Sequence, residues 1–183
     1  MHPVRFAGIT ACLVSLTLVA GCSSAKREQV CPRVAVLSEG GALTRFAPGE
    51  GRDVLDVDFQ AQIGDLLARC TFPDKKGARQ VVVQLAPVFV ISRGAANTDR
   101  KASFTYFVSV VRTEQILSKQ QFDVAIEFPG NRSRIAVQDD DPPILIDIPL
   151  PYRDAEYEYE VLVGLQLTPE ELSYNQRWQS LGR

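Results

Sequence analysis

The sequence predicts an all-β fold: two antiparallel sheets packed face to face, with one short helix at the C-terminus. Three observations carry this expectation. Residues 55–63 alternate strictly, with Leu55, Val57, Phe59, Ala61 and Ile63 on one face and Asp56, Asp58, Gln60 and Gln62 on the other, the period of a half-buried strand. Similar short runs recur along the chain, separated by glycine and proline turn signals. A helix start is written at Thr168-Pro169-Glu170-Glu171, with a capping threonine, proline at the first helical position and glutamate three residues after the cap.

The elements follow in order. Val34–Leu37 reads as a weak first strand. After the strand at 55–63, Gly64-Asp65 is a two-residue hairpin signal. The implied pairing sets Ile63 opposite Leu66, Ala61 opposite Ala68 and Phe59 opposite Cys70, so Cys70 faces inward. Val81–Ile91 is almost continuously apolar and suits a central strand, with Pro87 marking a bulge or an edge. Ser103–Val111 is aromatic and β-branched. Phe122, Val124, Ile126 and Phe128 alternate with polar residues up to Pro129-Gly130, read as a type II turn. Arg134–Val137 and Ile144–Ile148 are shorter strands. Tyr157, Tyr159, Val161, Val163, Leu165 and Leu167 alternate with residues that include Glu156, Glu158 and Glu160. About eight short strands of this kind suit an immunoglobulin-like antiparallel β-sandwich, with a closed barrel as the alternative.

The helix is expected from 169 to about 179. Tyr174, Trp178 and Leu181 recur at helical spacing and form one apolar stripe. So short a helix is marginal alone in water, and the stripe needs a surface. That surface is either the protein's own sandwich or a partner groove with Trp178 as anchor.

The first segment has a different character. Arg5 precedes an apolar run, Phe6–Ala20, too short to span a bilayer comfortably and of signal-peptide length. It ends in Val19-Ala20-Gly21-Cys22, which resembles the lipobox of bacterial lipoproteins. The resemblance implies that the thiol of Cys22 receives a diacylglycerol, that cleavage precedes it, and that the new amino terminus is acylated. Residues 1–21 are then a signal peptide, 22–30 a lipidated tether and 31–183 a single sandwich domain with its helix. Ser23 stands where aspartate retains lipoproteins in the inner membrane of enteric bacteria, which favours the periplasmic face of the outer membrane. Fully extended, Ser23–Val30 reaches only about 30 Å, so the domain works near its membrane.

Composition narrows the chemistry. The single histidine, His2, and the single methionine, Met1, both leave with the signal. Imidazole-dependent nucleophilic catalysis and histidine-based metal sites go with them. Ser23–Lys26 matches a Ser-x-x-Lys string only within the tether, and Gly40-Gly41 and Gly49–Gly51 lack a phosphate-loop context. No catalytic residue, metal ligand or cofactor is assigned, and the protein is not expected to be an enzyme. A net charge of −2, from 20 basic and 22 acidic residues, gives no reason to expect a nucleic-acid partner. Once Cys12 is removed and Cys22 acylated, Cys31 and Cys70 remain, and an oxidising periplasm favours a disulfide between them.

Three charged groupings remain. Residues 139–160 carry Asp139, Asp140, Asp141, Asp147, Asp154, Glu156, Glu158 and Glu160 against Arg153 alone. They are read as a solvated loop and an outward strand face, with cation or ligand binding as the alternative. Asp56 and Asp58 are read as solvent-facing charge, and Lys75-Lys76 and Arg93/Arg100-Lys101 as two separate basic tips. The functional expectation is a membrane-anchored, non-enzymatic interaction or accessory module of an envelope assembly, with an envelope protein as partner. The alternative is a ligand- or cation-binding lipoprotein that uses 139–160.

Overall fold

The computed structural model describes residues 29–49, 51–75 and 78–181. Residues 1–28, with the expected signal peptide, the lipobox-like Val19-Ala20-Gly21-Cys22 and most of the expected tether, lie outside the described residues. The strands are β1 (Arg33–Val36), β2 (Ala42–Phe46), β3 (Val57–Thr71), β4 (Asp74–Lys75), β5 (Ala78–Arg93), β6 (Lys101–Arg112), β7 (Gln115–Glu127), β8 (Arg134–Gln138), β9 (Ile144–Pro149) and β10 (Tyr159–Leu165), followed by the helix α1 (Pro169–Leu181). They form two sheets. One is four-stranded in the order β1-β10-β6-β7, and the other is six-stranded, with β2-β3-β5-β4 in line and β8 and β9 both paired to β5. The fold is an all-β sandwich with a short C-terminal helix.

The inner faces meet in one core. Phe104 and Tyr106 of the smaller sheet pack against Phe59 and Phe89 of the larger, with ring centroids 4.9–6.5 Å apart. Val81, Val83, Leu85, Val161 and Val163 extend this core toward the end where the chain enters. Buried aliphatic and aromatic side chains of this size each contribute about 1.5–3 kcal/mol relative to exposure, which is what holds the two sheets together.

The hairpin expected at Gly64-Asp65 is not there. β3 runs straight through it, and a bulge between Ile63 and Asp65 shifts its register against β5. Both a two-residue turn and a one-residue bulge invert the parity of the apolar alternation, so the pattern change at 64 fits either. A Cβ at Gly64 would come within 3.0 Å of Val90 Cγ2, so glycine suits the bulge. Cys70 does face the core, half-buried, but stands opposite Val83, while Phe59 stands opposite Arg93. Leu55, expected inward, lies in a 3-10 turn (Val54–Asp56) and is 71% exposed.

Pro87 sits mid-strand in β5 without making it an edge. Its carbonyl accepts from Asp139 N at 2.9 Å, and its missing N–H falls where β8 ends and β9 has not begun. The turn after β7 also differs from expectation. Arg132 N donates to Pro129 O, placing Gly130 (φ +55°) as the second residue of the turn and Pro129 as the first. Glu156 and Tyr157 belong to a 3-10 turn (Ala155–Glu158), not to the last strand, so Glu156 is buried and Tyr157 is 65% exposed. The alternation begins only at Tyr159.

Candidate functional site

The disulfide between Cys31 and Cys70 is formed, with Cα atoms 5.8 Å apart, within the range such a bond spans. It fixes the start of the domain to the end of β3. β1 then runs parallel to β10.

The helix forms where the sequence places its start. Glu171 N donates to Thr168 Oγ1 at 3.2 Å, and Thr168 N donates to Glu171 Oε2 at 2.8 Å, the reciprocal capping box. Its first turns dock on the sandwich. Arg45 of β2 holds Glu171 at 3.0 Å, and Arg52 holds Glu170 at 2.6 Å. Asn175 Nδ2 donates to Ala42 O at 2.7 Å, placing a side-chain donor on β2. The ring of Tyr174 meets that of Phe46 edge-on at 5.2 Å. The predicted stripe therefore divides. Tyr174 is half-buried against the protein's own sandwich, while Trp178, one turn on, stays 59% exposed. Leu181 is the last helical residue, and its side chain lies outside the described residues.

Beside Trp178 a groove of about 610 Å³ opens between α1, the β1–β2 connection and the outer face of β3. Trp178, Tyr174, Val36, Ile63 and Ala42 supply its apolar lining, and Asn175, Gln60, Gln62, Thr44 and Ser38 its amides and hydroxyls. No residue that lines it carries a formal charge. Gln60 Nε2 donates to Thr44 Oγ1 at 3.3 Å, which orders one of the two amides. The sequence marks Gln60 and Gln62 only as the polar face of a strand. Their being neutral amides, where charged residues are commoner on a solvated face, is the signal in the sequence.

Several members of the other charged groupings have partners within the chain. Asp56 accepts from Asp53 N at 2.9 Å in the turn before β3, and Asp58 accepts from buried Asn97 Nδ2 at 2.8 Å, so neither is idle surface charge. The acidic stretch is dispersed. Asp139 takes the Tyr106 phenol, Asp140 the Gln138 amide and Glu160 the Arg33 guanidinium. Glu158 is held by Arg112 at 2.8 Å and by the Tyr152 hydroxyl. The tyrosine's hydrogen bond, and then Arg112, hold the Glu158 carboxyl below its usual range, while the same bond pushes the Tyr152 phenol up. Of the basic tips, Arg100 turns inward onto Phe128 O, and the Lys75 side chain and Lys76 lie outside the described residues. Among the described residues, no three His, Cys, Asp or Glu side chains are grouped to hold a metal ion, and no helix is long and apolar enough to cross a membrane.

Compared with protein-family models, with characterised proteins and with solved structures, the chain matches none, so its functional reading rests on its own residues.

Proposed function

We propose that the chain is a lipoprotein anchored through acylated Cys22 at the periplasmic face of the outer membrane, where it serves as a non-enzymatic interaction module of an envelope assembly. The anchor rests on the sequence Val19-Ala20-Gly21-Cys22, and the Cys31–Cys70 bond fits an oxidising compartment. The observation that carries the interaction reading is Trp178. A large aromatic left 59% exposed beside a groove, on a helix whose first turns are already docked, fits a contact surface better than a core residue.

Metabolic labelling with radioactive palmitate, followed by membrane fractionation, tests the anchor. The wild-type chain is expected to carry label and to sediment with outer membranes, and Cys22→Ser to lose both. A Cys22→Ser chain that is cleaved and still sediments with outer membranes overturns the anchor. A photo-crosslinking residue at position 178, compared with one at exposed position 55, tests the contact surface. An adduct of defined size at 178 and none at 55 is the expected outcome, and equal yields at both positions overturn it.

A further inference from the structure

We infer that the groove beside Trp178 is a binding site for an uncharged oligosaccharide. The inference rests on reading this groove as a contact surface, and is independent of lipidation. The lining decides the chemistry. An anionic or cationic ligand would enter a groove whose walls hold no countercharge. Charges around the groove are already engaged: Glu171 and Glu170 by Arg45 and Arg52, Glu39 by the Ser38 hydroxyl, and Arg177 over the Tyr174 ring. An acyl chain would leave the amides of Gln60, Gln62 and Asn175 facing hydrocarbon. An extended peptide would seek a strand edge, but at β2 the carbonyl of Ala42 is taken by Asn175. A sugar presents carbon–hydrogen faces that lie on an aromatic ring and a rim of hydroxyls that pair with neutral amides. Trp178 offers the exposed ring, with Tyr174 6.0 Å from it and backed by Phe46 and Arg177, and Gln60 and Gln62, exposed at alternate positions of β3, offer two amides on one face. The volume is that of a small-ligand site.

Trp178 is the only tryptophan, so it reports binding directly. The full chain, purified in a detergent without a sugar headgroup, is titrated with a β-1,4-linked N-acetylglucosamine tetramer and separately with a glucose tetramer, by fluorescence and by calorimetry. Saturable binding of either supports the inference, and which one binds separates a wall-type glycan from a plain glucan. Gln62→Ala is expected to weaken that binding about tenfold or more with an unchanged melting temperature, and Gln60→Ala to weaken it as much while lowering the melting temperature slightly, because it also strips the partner from the buried Thr44 hydroxyl. Binding to neither tetramer overturns the inference. So does binding that survives both substitutions, or a Trp178 response confined to an uncharged peptide of similar size. A chain found unacylated in the soluble fraction that still binds a tetramer removes the anchor and keeps this inference. An anchored chain that binds neither tetramer does the reverse.

Discussion

The Tyr106 phenol, wholly buried in the smaller sheet, donates a 2.5 Å hydrogen bond to Asp139, at the break between β8 and β9 in the larger one. Asp139 N in turn reaches Pro87 O, so one residue fastens the two sheets to each other and closes the gap in one of them. Removing the two partners should not cost the same. Tyr106→Phe leaves a half-exposed carboxylate that water can satisfy, and should cost about 1 kcal/mol. Asp139→Ala strips the partner from a buried phenol and should cost about 1–3 kcal/mol. Urea unfolding of the two variants checks the order.

The same pair sets the response to base. Burial, and then Asp139, push the Tyr106 phenol far above its ordinary value. The native state therefore keeps a proton that the unfolded chain releases above about pH 10. The resulting stability is complete below that pH and is lost as pH rises beyond it, at a slope approaching about 1.4 kcal/mol per pH unit. Unfolding free energies at about pH 9 and about pH 11 should show this fall, and Tyr106→Phe should flatten it. Exposed Tyr152 is raised in the same direction by Glu158, so some base sensitivity should remain.

Unreduced, denatured protein should show no free thiol from Cys31 or Cys70. The double substitution Cys31→Ala with Cys70→Ala should lower stability by about 2–4 kcal/mol. Denaturant melts with and without reductant should move the wild-type chain toward the variant and leave the variant where it is.

Helix docking gives a split result along one element. Truncation after Thr168 removes Glu171, Tyr174 and Asn175, leaving Arg45, Phe46 and the Ala42 carbonyl without them, and should lower the melting temperature by several degrees. Trp178→Ala, in contrast, should change stability by no more than about 0.5 kcal/mol. Native tryptophan emission should be red and readily quenched by acrylamide, while truncation still destabilises.

Two glycines near aromatic and backbone neighbours should behave differently. A Cβ at Gly94 would fall 2.0 Å from Val57 O, a backbone atom held in β3 that cannot swing away. At Gly164 the nearest atom is the tip of Phe107, at 2.7 Å, which can rotate. Gly94→Ala should cost more than about 3 kcal/mol or abolish folding, and Gly164→Ala about 1 kcal/mol. Expression level and melting curves separate them.

What was legible in the sequence was mostly what depends on local pattern. The strand alternation and the Thr168–Glu171 capping box stand in the structure, as does the Cys31–Cys70 bond, which follows from the count of remaining cysteines and not from local pattern. What failed were choices that local pattern leaves open. Gly64 permits a turn or a bulge, and only the long pairing of β3 with β5 selects the bulge. Pro87 suggests a bulge or an edge, but β5 keeps its register there and a central strand tolerates it because two half-strands share its flank. β2 went unread because Ala42–Phe46 shows little alternation, and its role as seat for α1 arises only from tertiary contact. The groove was half legible. The helical spacing offers Trp178 either to the sandwich or to a partner, and Gln60, Gln62 and Asn175 join it only once β3 and the helix are brought together.

The sheet margins are unequally protected. α1 sits on β2, β8 and β9 divide the far side of the larger sheet, and β1 has only four residues. Among the described residues, β7 is the long margin, solvent-exposed from 115 to 121 with Ile116 and Leu117 among its side chains. Polymer growth by strand addition needs such an open ladder. The colloidal behaviour of concentrated protein therefore rests on Lys119, Asp123 and Glu127, the charges spaced along that strand, acting as its gatekeepers against fibrils.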